Sequence, residues 1–77
     1  MRTGDIVHVR VSGHIHTAEV RGFLDRRGQG VDEVDLRRPP PYTTLVLSIE
    51  GFEGERVCLP LWLPPEGIEL LPVRRAA

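Results

Sequence analysis

Apolar and polar side chains alternate along most of the chain with a period of two, the repeat of an extended strand whose successive side chains point to opposite faces. Val7, Val9 and Val11 fall on one face and His8 and Arg10 on the other, which predicts a strand from Gly4 onward. Ser12-Gly13 supplies a turn in which glycine takes a positive φ, and His16–Leu24 alternates again, so the two runs predict a hairpin. Whether its loop holds two residues or four, His16, Ala18 and Val20 share the face of the three valines.

Residues 25–42 are polar and breaker-rich and include three consecutive prolines, which predicts a long loop interrupted by a short strand around Val34–Leu36. Beyond it, Thr44–Glu50 sets Leu45, Leu47 and Ile49 on one face, and Glu55–Leu63 sets Val57, Leu59, Leu61 and Leu63 on one face. Gly51-Phe52-Glu53-Gly54 joins these two strands, and Pro60, with no N–H to donate, assigns the second of them to a sheet edge. Pro64-Pro65-Glu66-Gly67 predicts one 3₁₀ turn before a last short strand, Ile68–Val73, and residues 74–77 a flexible tail. No helix is predicted.

Five short strands with a hairpin, a long second connection, a second hairpin, one helical turn and a closing strand follow the order of an SH3-like barrel, and the chain resembles that superfold over nearly its whole length. The carriers are Gly4-Asp5-Ile6-Val7-His8-Val9, similar to the first strand of KOW and Tudor barrels, and Leu63-Pro64-Pro65-Glu66-Gly67-Ile68 before the closing strand. The resemblance implies an all-β, five-stranded barrel of one domain, residues 1–77. Fragments Arg2-Thr3-Gly4-Asp5-Ile6-Val7 and Arg37-Arg38-Pro39 ahead of Leu45-Val46-Leu47-Ser48 also resemble the MazF toxins, whose barrel cleaves RNA, although the C-terminal helical portion of that family is missing here.

With 77 residues, 40% of them hydrophobic, the chain holds one small core, whose stability a partner or a second copy would raise. All ten basic residues are arginine, and the net charge of -1 with a pI near 6.3 weighs against a general polycation for nucleic acid while leaving room for a local patch. The lone Cys58 cannot form an internal disulfide, no signal peptide opens the chain and no apolar run approaches the ~20 residues of a membrane span, so a cytoplasmic setting without a membrane anchor is expected.

Trp62, the sole tryptophan, points by alternation away from Val57, Leu59, Leu61 and Leu63. Either a second small core claims it, or it is exposed with Pro60, Tyr42 and Phe52 as the anchor of a protein-binding surface. Arg26, Arg27, Arg37 and Arg38 are candidate phosphate contacts, with Asp25, Asp32, Glu33 and Asp35 placed to neutralise them in part. Glu50, Glu53, Glu55, Glu66 and Glu69 form an opposing acidic set suited to a basic surface. His14 and His16 have the spacing of two zinc ligands but no companions, so no metal is expected, and Cys58 reads as a small buried or half-buried filler. No phosphate loop, nucleophile elbow or paired catalytic carboxylates are present, and no cofactor is implied. The leading expectation is a non-catalytic module that binds a partner protein or itself through a sheet edge and the Trp62 surface. A KOW- or Tudor-like nucleic-acid binder using the loop arginines is the alternative, and a MazF-like endoribonuclease the weaker one.

Overall fold

A computed structural model describes residues 1–63 and 65–72, so the expectations for Pro64, Val73 and the 74–77 tail lie outside the described residues. The first hairpin joins β1 (Ile6–Val11) to β2 (His14–Leu24) through a two-residue turn. Ser12 and Gly13 both take positive φ, 50° and 87°, the twist a tight hairpin needs, and Val11 then pairs with His14. The other strands are β3 (Gly30–Val31), β4 (Thr44–Ile49), β5 (Val57–Pro60) and β6 (Ile68–Leu70). Every pairing is antiparallel, in the order β5-β4-β2-β1-β6, with β3 added to β2. No helix occurs among the described residues.

The sheet curls into a half-barrel around the predicted apolar face: Val7, Val9, Ala18, Val20, Leu45, Leu47, Ile49 and Leu59 are buried, joined by Phe23 and Val34. Phe23 owes its place to a bulge. Val20 pairs with Leu47 but Gly22 pairs with Val46, so Arg21 is an extra residue and the alternation reverses there. Unbroken alternation from Ala18 and Val20 would turn Phe23 outward, whereas it is 1% exposed. Gly22 carries the irregularity at φ 148°, a region that side chains with a Cβ avoid.

The long connection is less loose than its composition predicts. The Asp25 carboxylate accepts the N–H groups of Arg27 and Gln29 at 2.8 and 2.9 Å, which folds residues 25–29 into a tight reversal and returns Gly30 directly to β2. The interrupting strand is therefore Gly30–Val31 rather than Val34–Leu36, and the total is six strands rather than five. Val34 is instead buried in the core and tied to the start of the chain: the Met1 ammonium donates to its carbonyl at 2.9 Å and its N–H donates to the Met1 carbonyl at 2.9 Å.

The strand expected over Glu55–Leu63 contracts to Val57–Pro60. Its partner β4 starts at Thr44, and Pro39–Pro41 ahead of it carry no N–H to extend the ladder, so pairing ends after the bond from Leu61 N–H to the Thr43 carbonyl, 3.0 Å. That bond turns the Leu61 N–H toward β4, so alternation turns the Pro60 nitrogen outward, where a missing donor costs no ladder bond. Leu63, expected on the core face, is 71% exposed. The turn before β6 is closed by Ile68 N–H donating to the Pro65 carbonyl at 3.4 Å and does not lengthen into a 3₁₀ helix.

A Cβ at Gly22 would meet nothing nearer than 3.8 Å, so the expected cost of Gly22→Ala is that of the backbone alone, about 1–2 kcal/mol. Urea unfolding checks it: the midpoint falls while the slope stays unchanged.

Candidate functional site

Thr44 and Pro60 are paired at one end of β4 and β5, and the chain on either side of that pair carries the two largest aromatic side chains. Tyr42 lies two residues before Thr44 and Trp62 two residues after Pro60. Their rings meet edge to face, centroids 5.4 Å apart at 73°. Trp62 is 50% exposed and Tyr42 54%, Pro60 is half-buried and the exposed Leu63 follows. The structure thus assigns Trp62 to the exposed one of its two expected settings and brings it together with Tyr42 and Pro60.

Tyr42 is held there against its own preference. Its φ is 61°, a left-handed value rarely adopted by a bulky side chain. The surroundings impose it: Thr43, the only buried polar residue among those described, donates its hydroxyl to the Pro40 carbonyl at 2.7 Å and accepts the Leu61 N–H on its carbonyl. Three prolines stiffen the approach. Strain of this kind, maintained beneath an exposed aromatic ring, characterises functional surfaces.

Phe52 does not belong to this group. It lies in the reversal at the far end of β4, about 17 Å away along a six-residue strand, because the hairpin turn must occupy the end opposite to Thr44. Its ring, 40% exposed, meets His16 edge to face at 5.5 Å and 67°. His16 is thereby a packing residue, His14 is exposed, and among the described residues no three metal-ligating side chains gather. Exposed around Phe52 are Glu50, Glu53 and Glu55, with Arg56 as the nearby cation in sequence. The Glu53 carboxylate is held below its ordinary pKa of 4.5 first by its own backbone N–H and then by the Gly51 N–H, which it accepts at 3.2 Å. Glu53 is therefore charged at neutral pH.

Arg26 and Arg27 project from the tip that follows Leu24, which pairs with Thr44, so they share the Tyr42–Trp62 end of the sheet. Arg37 and Arg38 are exposed on the long connection. The neighbouring acids serve the main chain: Asp25 accepts N–H groups of its own turn, and Asp35 accepts the Arg37 N–H at 2.9 Å. Among the described residues the ion pairs are Arg2–Glu33, Arg10–Glu69 and Arg21–Glu19, and none engages Arg26, Arg27, Arg37 or Arg38. These acids thus form no direct ion pair with the four arginines among the described residues.

Cys58 is exposed, correcting the filler reading, because its side chain lies on the outer face of the edge strand beside Val46. A cleft of about 1220 Å³ lies elsewhere, between the chain start and β6, with Asp5, Ile6, Leu36, Arg37 and Leu70 in its wall. Of the expected site residues only Arg37 borders it, all of its charged side chains but the half-buried Asp5 are exposed, and it is a weaker candidate than the aromatic end. Two features of that end escaped the pattern of the sequence: the exposure of Leu63, hinted at only by the prolines ahead of β4, and the strained backbone of Tyr42, for which Pro41 at a turn corner is the only signal.

Comparison of the chain with protein-family models, with curated proteins and with solved structures gave no match.

Glycine at position 42 would release the backbone strain and lose only the half-exposed edge contact with Trp62, two effects of about 1 kcal/mol each and opposite sign. Tyr42→Gly is accordingly expected to leave the thermal midpoint within a few degrees of wild type or above it, measured by circular dichroism.

Proposed function

We propose that this chain is a non-catalytic binding module of the SH3-like barrel type, which holds a partner protein or another copy of itself through its aromatic end and the outer edge of β5. The order β6-β1-β2-β4-β5, with a single turn leading into β6, supports that fold, with β3 as a small addition inside the long connection. The observation that carries the function is the Tyr42–Trp62 pair: two aromatic side chains half-exposed side by side, on a backbone strained to keep one of them there. Rigid aromatic rings dominate the energy of protein interfaces because they bury large apolar areas and lose little rotamer entropy. The outward edge of β5, short and broken by Pro60, offers few backbone groups, so the rings supply most of the affinity. An exposed unpaired thiol at Cys58 suits the reducing cytoplasm. No helix among the described residues is long and apolar enough to cross a membrane.

Trp62→Ala is the direct test. It should cost no more than about 1.5 kcal/mol of stability, since the ring is half in solvent, yet weaken association by about 30-fold, as loss of an interface anchor does. Calorimetric titration against the captured partner, with chemical denaturation alongside, reads both; equal affinity in the variant excludes the aromatic surface.

A second reading rests on the four loop arginines that lack carboxylate partners among the described residues: they contact nucleic-acid phosphates. Binding of a single-stranded RNA probe should then weaken steeply with salt and fall further when Arg26, Arg27, Arg37 and Arg38 are replaced by Gln. The probe should be recovered uncut, and cleavage would favour the MazF-like alternative.

A further inference from the structure

The two ends of the β2–β4–β5 sheet differ in charge. At one end, Arg26 and Arg27 leave the tip after Leu24, and the register Leu24–Thr44–Pro60 places that tip beside the segments bearing Tyr42 and Trp62. At the other end, the loop between β4 and β5 exposes Glu50, Glu53 and Glu55 around Phe52, against the single cation Arg56. Among the described residues none of these two arginines and three glutamates forms an ion pair. The carboxylate nearest the arginines in sequence, Asp25, is engaged by main-chain N–H groups. Each end therefore presents unpaired charge of one dominant sign around an exposed aromatic side chain.

We infer that the occupant of the aromatic end is the acidic loop of a second copy of this chain, docked head to tail. The inference rests on the binding surface proposed above and names what covers it. Both complements, positive against negative and aromatic against aromatic, reside on one molecule, and the length of β4 keeps them about 17 Å apart, so they meet only between molecules. Pairing either end with its own kind would set arginine against arginine or glutamate against glutamate, which disfavours a two-fold dimer whose axis passes through one of these ends. A head-to-tail contact is heterologous: each copy added leaves one basic and one acidic end free, and the assembly grows into a ring or a short filament. Guanidinium groups can grip the glutamates through paired N–H donors while Trp62 loses water against Phe52.

Sedimentation velocity of the full chain under reducing conditions tests this. At about 50 mM salt the average mass should rise with concentration beyond that of a dimer, and at about 500 mM salt association should weaken at least about tenfold, since screening shortens the reach of exposed charges. Trp62 is the only tryptophan, so its emission should shift to shorter wavelength as the mass rises. The paired change Arg26→Glu with Arg27→Glu, and separately Glu50→Arg with Glu55→Arg, should each yield monomers. Glu53 is left in place because its carboxylate holds the loop. An equimolar mixture of the two variants should associate again, since the altered ends complement one another, and this recovery also shows that both variants are folded. A wild-type mass that stays monomeric at low salt overturns the head-to-tail inference alone, leaving the aromatic surface to the Trp62→Ala titration. Growth that stops at a dimer, or that survives both charge reversals, overturns it as well. Association lost on charge reversal yet indifferent to Trp62→Ala overturns the aromatic reading beneath it.

Discussion

One extra residue in β2 governs the shape of this protein. Arg21 has no partner of its own on β4, and by stepping aside it lets the strand turn through the bulge while still exchanging hydrogen bonds on both sides. The first half of β2 serves β1, the second half serves β4 and β3, and the interior formed between them is closed at its centre by Phe23. A straight eleven-residue strand would give a flatter sheet with its only buried aromatic ring facing solvent. Burial of that ring alone is worth roughly 2–3 kcal/mol, a large part of the stability a chain of this size can have.

The alternation of Val7, Val9, Leu45, Leu47, Ile49 and Leu59 was legible because each lies in a strand flanked by turn residues, where a period of two has a single meaning. Phe23 and Leu63 mark where this reading stops. A bulge changes the phase without changing composition, so nothing in His16–Leu24 announces that Arg21 is supernumerary. Leu63 continues the pattern of β5 on paper, but pairing depends on the partner strand, and Pro39–Pro41 offer β5 no N–H donors. The short strand in the long connection was misplaced for a related reason: Val34 is apolar because it fills the core from a clasped segment, whereas the ladder is made by Gly30 and Val31, positioned by the turn that Asp25 folds.

The candidate surface shows the same division. That Trp62 points away from the core leucines follows from parity, and that Pro60 belongs to an edge follows from its missing N–H. Grouping Phe52 with Trp62 required knowledge of which end of a strand each occupies, which spacing along the chain does not carry. Likewise, Asp25 and Asp35 read as neutralising neighbours of the arginines by proximity in sequence, but short acidic side chains reach the N–H groups of their own turns more readily than flexible guanidinium groups. The lack of direct ion pairs to these arginines among the described residues is a product of local turn chemistry.

Cys58 lends the molecule an experimental handle. It is the chain's only thiol and stands on the outward side of β5, partway between the basic pole and the acidic one. A nitroxide or a small fluorophore attached by maleimide chemistry would sit on a rigid strand and register events at either pole through distance, with no second cysteine to remove first. The same accessibility means that air oxidation can weld two molecules together back to back, producing covalent pairs that mimic assembly unless a reductant is present.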